Sequence, residues 1–244
     1  MSRVLILGGT GEAHELAGAL RAAGVTVTSS LAGRVAEPWL PAGDVRIGGF
    51  GGPAGLARWV TDNHVHAVVD ATHPFAEKIS AAATQACAQT GVALTRLERP
   101  GWVERPGDRW RRVKDLRAAA TAIDRPGLRV LLTTGRLDVA AFAGVREAWL
   151  LIRCITAPTP PLPAHSEIVL ARGPYTLAGE LALIDRHRIG IVVTKDSGGG
   201  RTAAKLDAAR QRGLPVVVVG RPPRQNVPTV HTVAEALDRL ETPT

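Results

Sequence analysis

A chain of 244 residues, 45% of them hydrophobic, is long enough for one large domain or two small ones. Its formal charge of +8 favours an anionic partner, and the scattered basic residues, only four of them lysine, with 4% aromatics and no aromatic RNA-binding pattern, argue against nucleic acid. No apolar run approaches the ~18 residues of a membrane span, so no membrane partner is expected.

The first predicted strand, 3–8, runs straight into glycine: Val4-Leu5-Ile6-Leu7-Gly8-Gly9-Thr10-Gly11-Glu12. A helix over 11–23 follows. An apolar strand, a glycine turn and a helix start form the phosphate-cradling corner of a nucleotide-binding α/β domain. The pattern departs from the full dinucleotide fingerprint, because His14 stands where a third glycine would allow close helix–strand packing. The second strand, 25–29, leads into Ser29-Ser30-Leu31-Ala32-Gly33-Arg34. NAD enzymes place a carboxylate about here for the ribose hydroxyls; hydroxyls and a guanidinium suit a 2′-phosphate instead. NADPH is therefore expected over NADH.

The third strand, 44–47, ends in Gly48-Gly49-Phe50-Gly51-Gly52, which permits close backbone approach to a ligand. After a helix over 54–63, a fourth strand, 66–70, ends in Asp70-Ala71-Thr72-His73-Pro74-Phe75-Ala76. Pro74 suits the first position of a helix over 75–90 and Thr72 its cap, which puts His73 at a helix N-terminus where the dipole disfavours imidazolium. A fifth strand is expected at 92–95.

Residues 98–114 mix Pro, Gly, Trp and charge without periodicity and read as a connection with room for a short strand. Alternation then resumes, with strands at 129–133, 148–153, 167–170, 190–194 and 215–219. Helices are expected at 115–123, 137–143, 175–188, 201–212 and 232–241. The strand-end loops here are Thr133-Thr134-Gly135-Arg136, Ala171-Arg172-Gly173-Pro174-Tyr175 and Lys195-Asp196-Ser197-Gly198-Gly199-Gly200-Arg201. The last is a good anion cradle without being a Walker A loop. The fold expected is α/β, with two Rossmann-like parallel-sheet domains and the active site in the cleft between them. Residues 1–97 form the first domain, 98–114 the connection and 115–244 the second domain.

The set of loops resembles the precorrin-6A reductase family of cobalamin biosynthesis. The matching pieces are Gly8-Gly9-Thr10-Gly11-Glu12-Ala13, Ser29 to Arg34, Gly48 to Gly52, Asp70 to Ala76, Thr133 to Arg136 and Lys195 to Gly199, in order along almost the whole chain. The resemblance implies an NADPH-dependent reduction of one carbon–carbon double bond of a tetrapyrrole, converting precorrin-6A to precorrin-6B. It implies Gly8, Gly9, Thr10, Gly11, Glu12, Ser29, Ser30, Arg34, Gly49, Phe50, Thr72 and His73 as cofactor contacts. Thr134, Gly135, Arg136, Arg172, Tyr175, Lys195, Ser197, Gly198, Gly199 and Arg201 would face the substrate, whose many carboxylates suit the basic groups. His73 and Lys195 are the candidate proton donors. Other enzymes of the pathway are implied as partners.

Alternatives read less well. The only tyrosine, Tyr175, has Gly179 four residues on, so the Tyr-x-x-x-Lys pair of short-chain dehydrogenases is missing. A methyltransferase would want an acidic residue where Ser29 stands. A nonenzymatic nucleotide-sensing or nucleic-acid-binding module fits the charge but not two sets of strand-end loops. Cys87 and Cys154 make no C-x-x-C pair, the histidines show no ligand spacing, and no leader precedes the first strand. A cytoplasmic protein without a metal is expected.

Overall fold

The computed structural model describes residues 3–33 and 40–241. Five strands, β1 (Arg3–Leu7), β2 (Thr26–Leu31), β3 (Asp44–Ile47), β4 (Ala67–Asp70) and β5 (Ala93–Leu97), alternate with α1 (Gly11–Ala22), α2 (Pro53–Asp62) and α3 (Glu77–Thr90). Val4 to Leu7 are all buried. A strand covered by helices on both faces must be apolar on both. Leu5 and Leu7 pack with Leu56 and Val60 of α2, while Val4 and Ile6 meet Leu16 and Leu20 of α1.

The second half repeats the plan. β6 (Trp110–Val113) and α4 (Leu116–Ile123) precede β7 (Arg129–Leu132), a 3-10 helix (Arg136–Phe142), β8 (Trp149–Cys154) and β9 (Ser166–Leu170). Then come α5 (Leu177–Arg186), β10 (Ile191–Lys195), α6 (Ala204–Gln211) and β11 (Val216–Val219). The chain ends with β12 (Thr229–Val230) and α7 (Val233–Glu241).

Both sheets are parallel and six-stranded. The first runs β12-β5-β4-β1-β2-β3 and the second β6-β11-β10-β7-β8-β9. Each has a doubly wound order, which reverses between β1 and β4 in the first sheet and between β7 and β10 in the second, so the switch points lie there. Ligands bind such sheets beyond the carboxyl ends of the strands at that point.

The expected domain division needs correction. One unit runs to Pro100 and takes up the chain again from Pro223; the other is Gly101–Pro222. The sixth strand of each sheet comes from beyond its own run of alternating elements. β12 pairs with β5, and Ala236 of α7 is fully buried among Val4, Ile6 and Leu16. β6, inside the expected connection, pairs with β11. The expected helix over 137–143 is instead a 3-10 turn begun by Gly135 at φ +95°. Gly55 is obligatory in α2: a Cβ there would overlap the carbonyl oxygen of Phe50. Among the described residues no helix is long and apolar enough to cross a membrane.

Candidate active site

In the first unit the glycine corner lies at the switch point. Gly8 donates its amide to Ser30 O at 3.0 Å, which ties the turn to β2. Gly9 has φ +110°, a left-handed value that favours glycine. Thr10 caps α1, its Oγ accepting from Ala13 N and donating to Ala71 O at the end of β4. The amides of Gly9, Gly11 and Glu12 meet no backbone acceptor among the described residues. They are available to an anion at a helix N-terminus. The Glu12 carboxylate is paired with Arg99 Nη1 at 2.7 Å. His14 does not loosen the helix, because Ala13 and Ala17, not position 14, supply the small buried face against β1.

At the end of β2 the two serines differ. Ser29 is buried, and its Oγ meets no partner among the described residues. The Ser30 Oγ accepts from Arg46 Nη1 at 3.4 Å. Arg34 lies outside the described residues. Arg46, on β3, was not singled out from sequence. Its Nη1 donates to Gly48 O and its Nη2 to Gly49 O, at 2.7 and 2.6 Å, and its guanidinium lies 3.7 Å over the Phe50 ring. Those bonds leave the Nε edge without a hydrogen-bond partner among the described residues.

The loop after β4 differs from expectation in detail. α3 begins only at Glu77, with no side-chain cap, so His73 stands in a preceding turn rather than at the helix start. The Thr72 Oγ donates to Asp70 Oδ1 at 2.6 Å instead of capping. His73 Nδ1 accepts from Phe75 N at 3.3 Å, which leaves the ring proton on Nε2. Arg224, from the returning C-terminal segment, donates to His73 O at 3.0 Å. Its guanidinium also faces Glu98 at 3.1 Å and lies 3.9 Å from Oδ2 of the buried Asp70, the oxygen that Arg96 Nε approaches at 3.7 Å. Neither arginine was read from sequence as part of this site.

In the second unit the predicted substrate residues follow the adjacent strands β10 and β7 and the edge strand β9. Thr134, buried, and Gly135 follow β7. Arg172 is exposed after β9; the Tyr175 hydroxyl donates to Ala171 O, its ring lies 3.9 Å from the Arg153 guanidinium, and burial pushes the phenol pKa up. Lys195 Nζ is paired with Asp138 of the 3-10 helix at 2.7 Å. Ser197, Gly198, Gly199 and Arg201 lie in the loop from β10 to α6, with Gly198 at φ +67° and Gly199 at φ +73°. Composition did not single out the apolar side chains on the same edge: Leu137 is 59%, Ile155 48% and Leu170 58% exposed. Arg136 and Arg172 stand next to Leu137 and two residues beyond Leu170 in the chain, and a contiguous exposed apolar patch edged by charge marks a ligand surface.

Comparison with known proteins accords with these two sets of loops. The family described as precorrin-6x reductase CbiJ/CobK matches residues 3–241. The chain belongs to that family. It is 54% identical over 224 residues to a precorrin-6A reductase of Rhodococcus erythropolis, covering 91% of this chain and 90% of the relative. A cobalt-precorrin-6A reductase of Salmonella typhimurium is 31% identical over 236 residues, covering 90% and 87%. A solved structure titled CobK precorrin-6A reductase superposes with a TM-score of 0.93 at 42% identity, covering 98% of this chain and 96% of that one.

The member described here also buries charge beneath its second-unit loops. Arg153 Nη1 donates to Glu180 Oε1 at 2.6 Å, and Lys205, 3% exposed, donates to Thr202 O at 2.6 Å. Burial lowers the Lys205 pKa to about 7, with Arg153 reinforcing the shift and Glu180 opposing it. The unfolded chain, with an ordinary lysine, binds more protons between about pH 7 and 10.5, so stability rises with pH across that window. Urea midpoints at pH 7 and 9.5 should show that rise in the wild type and a smaller one in Lys205→Met; equal slopes would contradict the assignment. Both cysteines are free and buried, the Cys87 thiol being pushed up to about 11 by burial.

Proposed function

We propose that this chain is an NADPH-dependent reductase that converts precorrin-6A to precorrin-6B in the cytoplasm by reducing one ring double bond. The observation that carries the cofactor reading is the glycine corner at the β1/β4 switch point, with open amides beside Ser30 and Arg46. The fit is physical: the corner suits a pyrophosphate, and Ser30 with the Nε edge of Arg46 suits a 2′-phosphate better than a diol. Ser29, Arg34, Gly49, Phe50 and Thr72 are the further cofactor contacts in this reading.

The bound dinucleotide would supply hydride. The protein's part is to bind, orient and deliver a proton. Arg136, Arg172, Lys195 and Arg201 would offset the substrate's carboxylates, and Leu137, Ile155 and Leu170 would cover an apolar face of the macrocycle. Curated relatives called precorrin-6A reductase are 44–54% identical, against 28–31% for those called cobalt-precorrin-6A reductase. That favours a metal-free ring as substrate.

Quenching of the tryptophans by NADPH, NADH, S-adenosylmethionine and duplex DNA tests the binding half of the proposal. NADPH should bind more tightly than NADH, and the last two should not quench. Arg46→Gln should weaken NADPH about 10- to 100-fold, the size of a charge-assisted contact of ~1.5–3 kcal/mol, and leave NADH unchanged. Equal loss for both cofactors would contradict the role of Arg46, and equal wild-type affinities would contradict the NADPH reading.

A further inference from the structure

The loop between β10 and α6 is fastened from beneath at regular intervals. Three of its carbonyls, at Asp196, Gly199 and Thr202, each accept from a different side chain: Arg221 Nε at 3.0 Å, Trp102 Nε1 at 2.8 Å and Lys205 Nζ at 2.6 Å. The middle clamp is the most connected. Lys205 Nζ lies 4.6 Å over the Trp102 ring, and Trp102 N donates to Asp196 Oδ1 at 2.9 Å. Arg112 joins the other Asp196 oxygen to Trp102 O, at 3.2 and 3.0 Å. Gly101 lets this happen, since a Cβ there would stand 2.9 Å from Asp196 Oδ2.

In a trans peptide the C=O and the following N–H point in opposite directions. When the Gly199 carbonyl is turned down to the Trp102 indole, the Gly200 amide is turned up, and Gly200 is exposed. Among the described residues, none of the amides of Gly198, Gly199 and Gly200 donates to a backbone carbonyl. With left-handed φ at Gly198 and Gly199, this peptide has few steric constraints of its own. Its orientation therefore needs an external hold.

We propose that Trp102, supported by Lys205, is a positioning residue that fixes the Gly199–Gly200 peptide so that the Gly200 N–H faces a substrate carboxylate. This rests on the reading of the loop as part of the substrate site. Trp102 touches neither cofactor nor substrate; it acts through the peptide it holds.

Trp102→Phe removes the indole donor and keeps an aromatic ring for Lys205. It should raise KM for precorrin-6A about tenfold, change kcat less than threefold and leave NADPH affinity unaltered. In 15N-glycine spectra the Gly200 amide should shift on addition of precorrin-6A to the wild type and much less in the variant. Lys205→Met, which keeps the buried stem and removes the amine, should raise KM as well. Arg201→Ala probes the loop directly. If Arg201→Ala raises KM and Trp102→Phe does not, the positioning role is overturned. If Arg201→Ala also leaves KM unchanged, the substrate reading of the loop fails, and the proposal fails with it.

Discussion

Glu180→Gln is expected to lower the unfolding free energy by about 3–5 kcal/mol, read from urea unfolding at neutral pH. Glu180 is 1% exposed, and its carboxylate is the anion that pairs with the buried Arg153 and favours the charged form of the buried Lys205. Glutamine keeps the volume and removes the charge. Arg153 then stays buried without its ion pair, and the Lys205 ammonium loses the one influence that raises its pKa. Desolvation explains the size: a broken buried pair costs more than the pair contributes, because one charge is left uncompensated. The double variant Arg153→Met with Glu180→Leu should therefore lose less than the single one. A loss under about 1 kcal/mol for Glu180→Gln would contradict this picture of the second unit.

The second large effect concerns the proton. Ring reduction adds hydride to one carbon and a proton to its neighbour, so a donor must be reached. His73 is the better candidate of the two named from sequence. Its Nδ1 takes the Phe75 amide, leaving the proton on Nε2, and Arg224 holds its backbone carbonyl. Lys195 is already engaged by Asp138. In single-turnover reduction, His73→Ala should slow the chemical step by about 10²–10⁴-fold, as expected for general acid catalysis, with NADPH affinity changed only a few-fold. A loss below about tenfold would move the role to Lys195, to solvent or to the ring itself.

Much of this architecture was legible in the chain. Continuous apolar runs such as Val4–Leu7 and Val216–Val219 announce strands covered on both faces, and the glycine corner announces itself. What escaped has physical reasons. β12 is two residues long, too short for any periodicity, so no local pattern announces the return of the C-terminal segment to the first unit, which the structure shows in the pairing of the Arg96 and Glu98 amides with Pro228 and Val230 and in the burial of Ala236. β6 is an edge strand whose Arg111 and Arg112 are exposed; the sequence left room for a short strand in this connection, but without periodicity nothing there tied it to the second sheet. The helix expected from residue 75 starts at Glu77, and the Thr72 hydroxyl expected to cap it is taken by Asp70.

At the candidate site the strand-end loops were legible and their supports were not. Arg46 reads as an ordinary residue of a short strand; a signal lay in its position two residues before Gly48, at the mouth of the glycine run. Lys205 sits in a helix turn where a lysine is normally solvated, and Trp102 follows a Pro-Gly pair that reads as linker. Long-range contacts that set such roles leave no local pattern.

The most direct test is to mix the purified protein with precorrin-6A and either NADPH or NADH, following nicotinamide absorbance and product mass together. One NADPH oxidised for each ring that gains two hydrogens, with NADH far slower, is the predicted result. Oxidation of NADH at an equal rate, or a ring unchanged in mass, would contradict it.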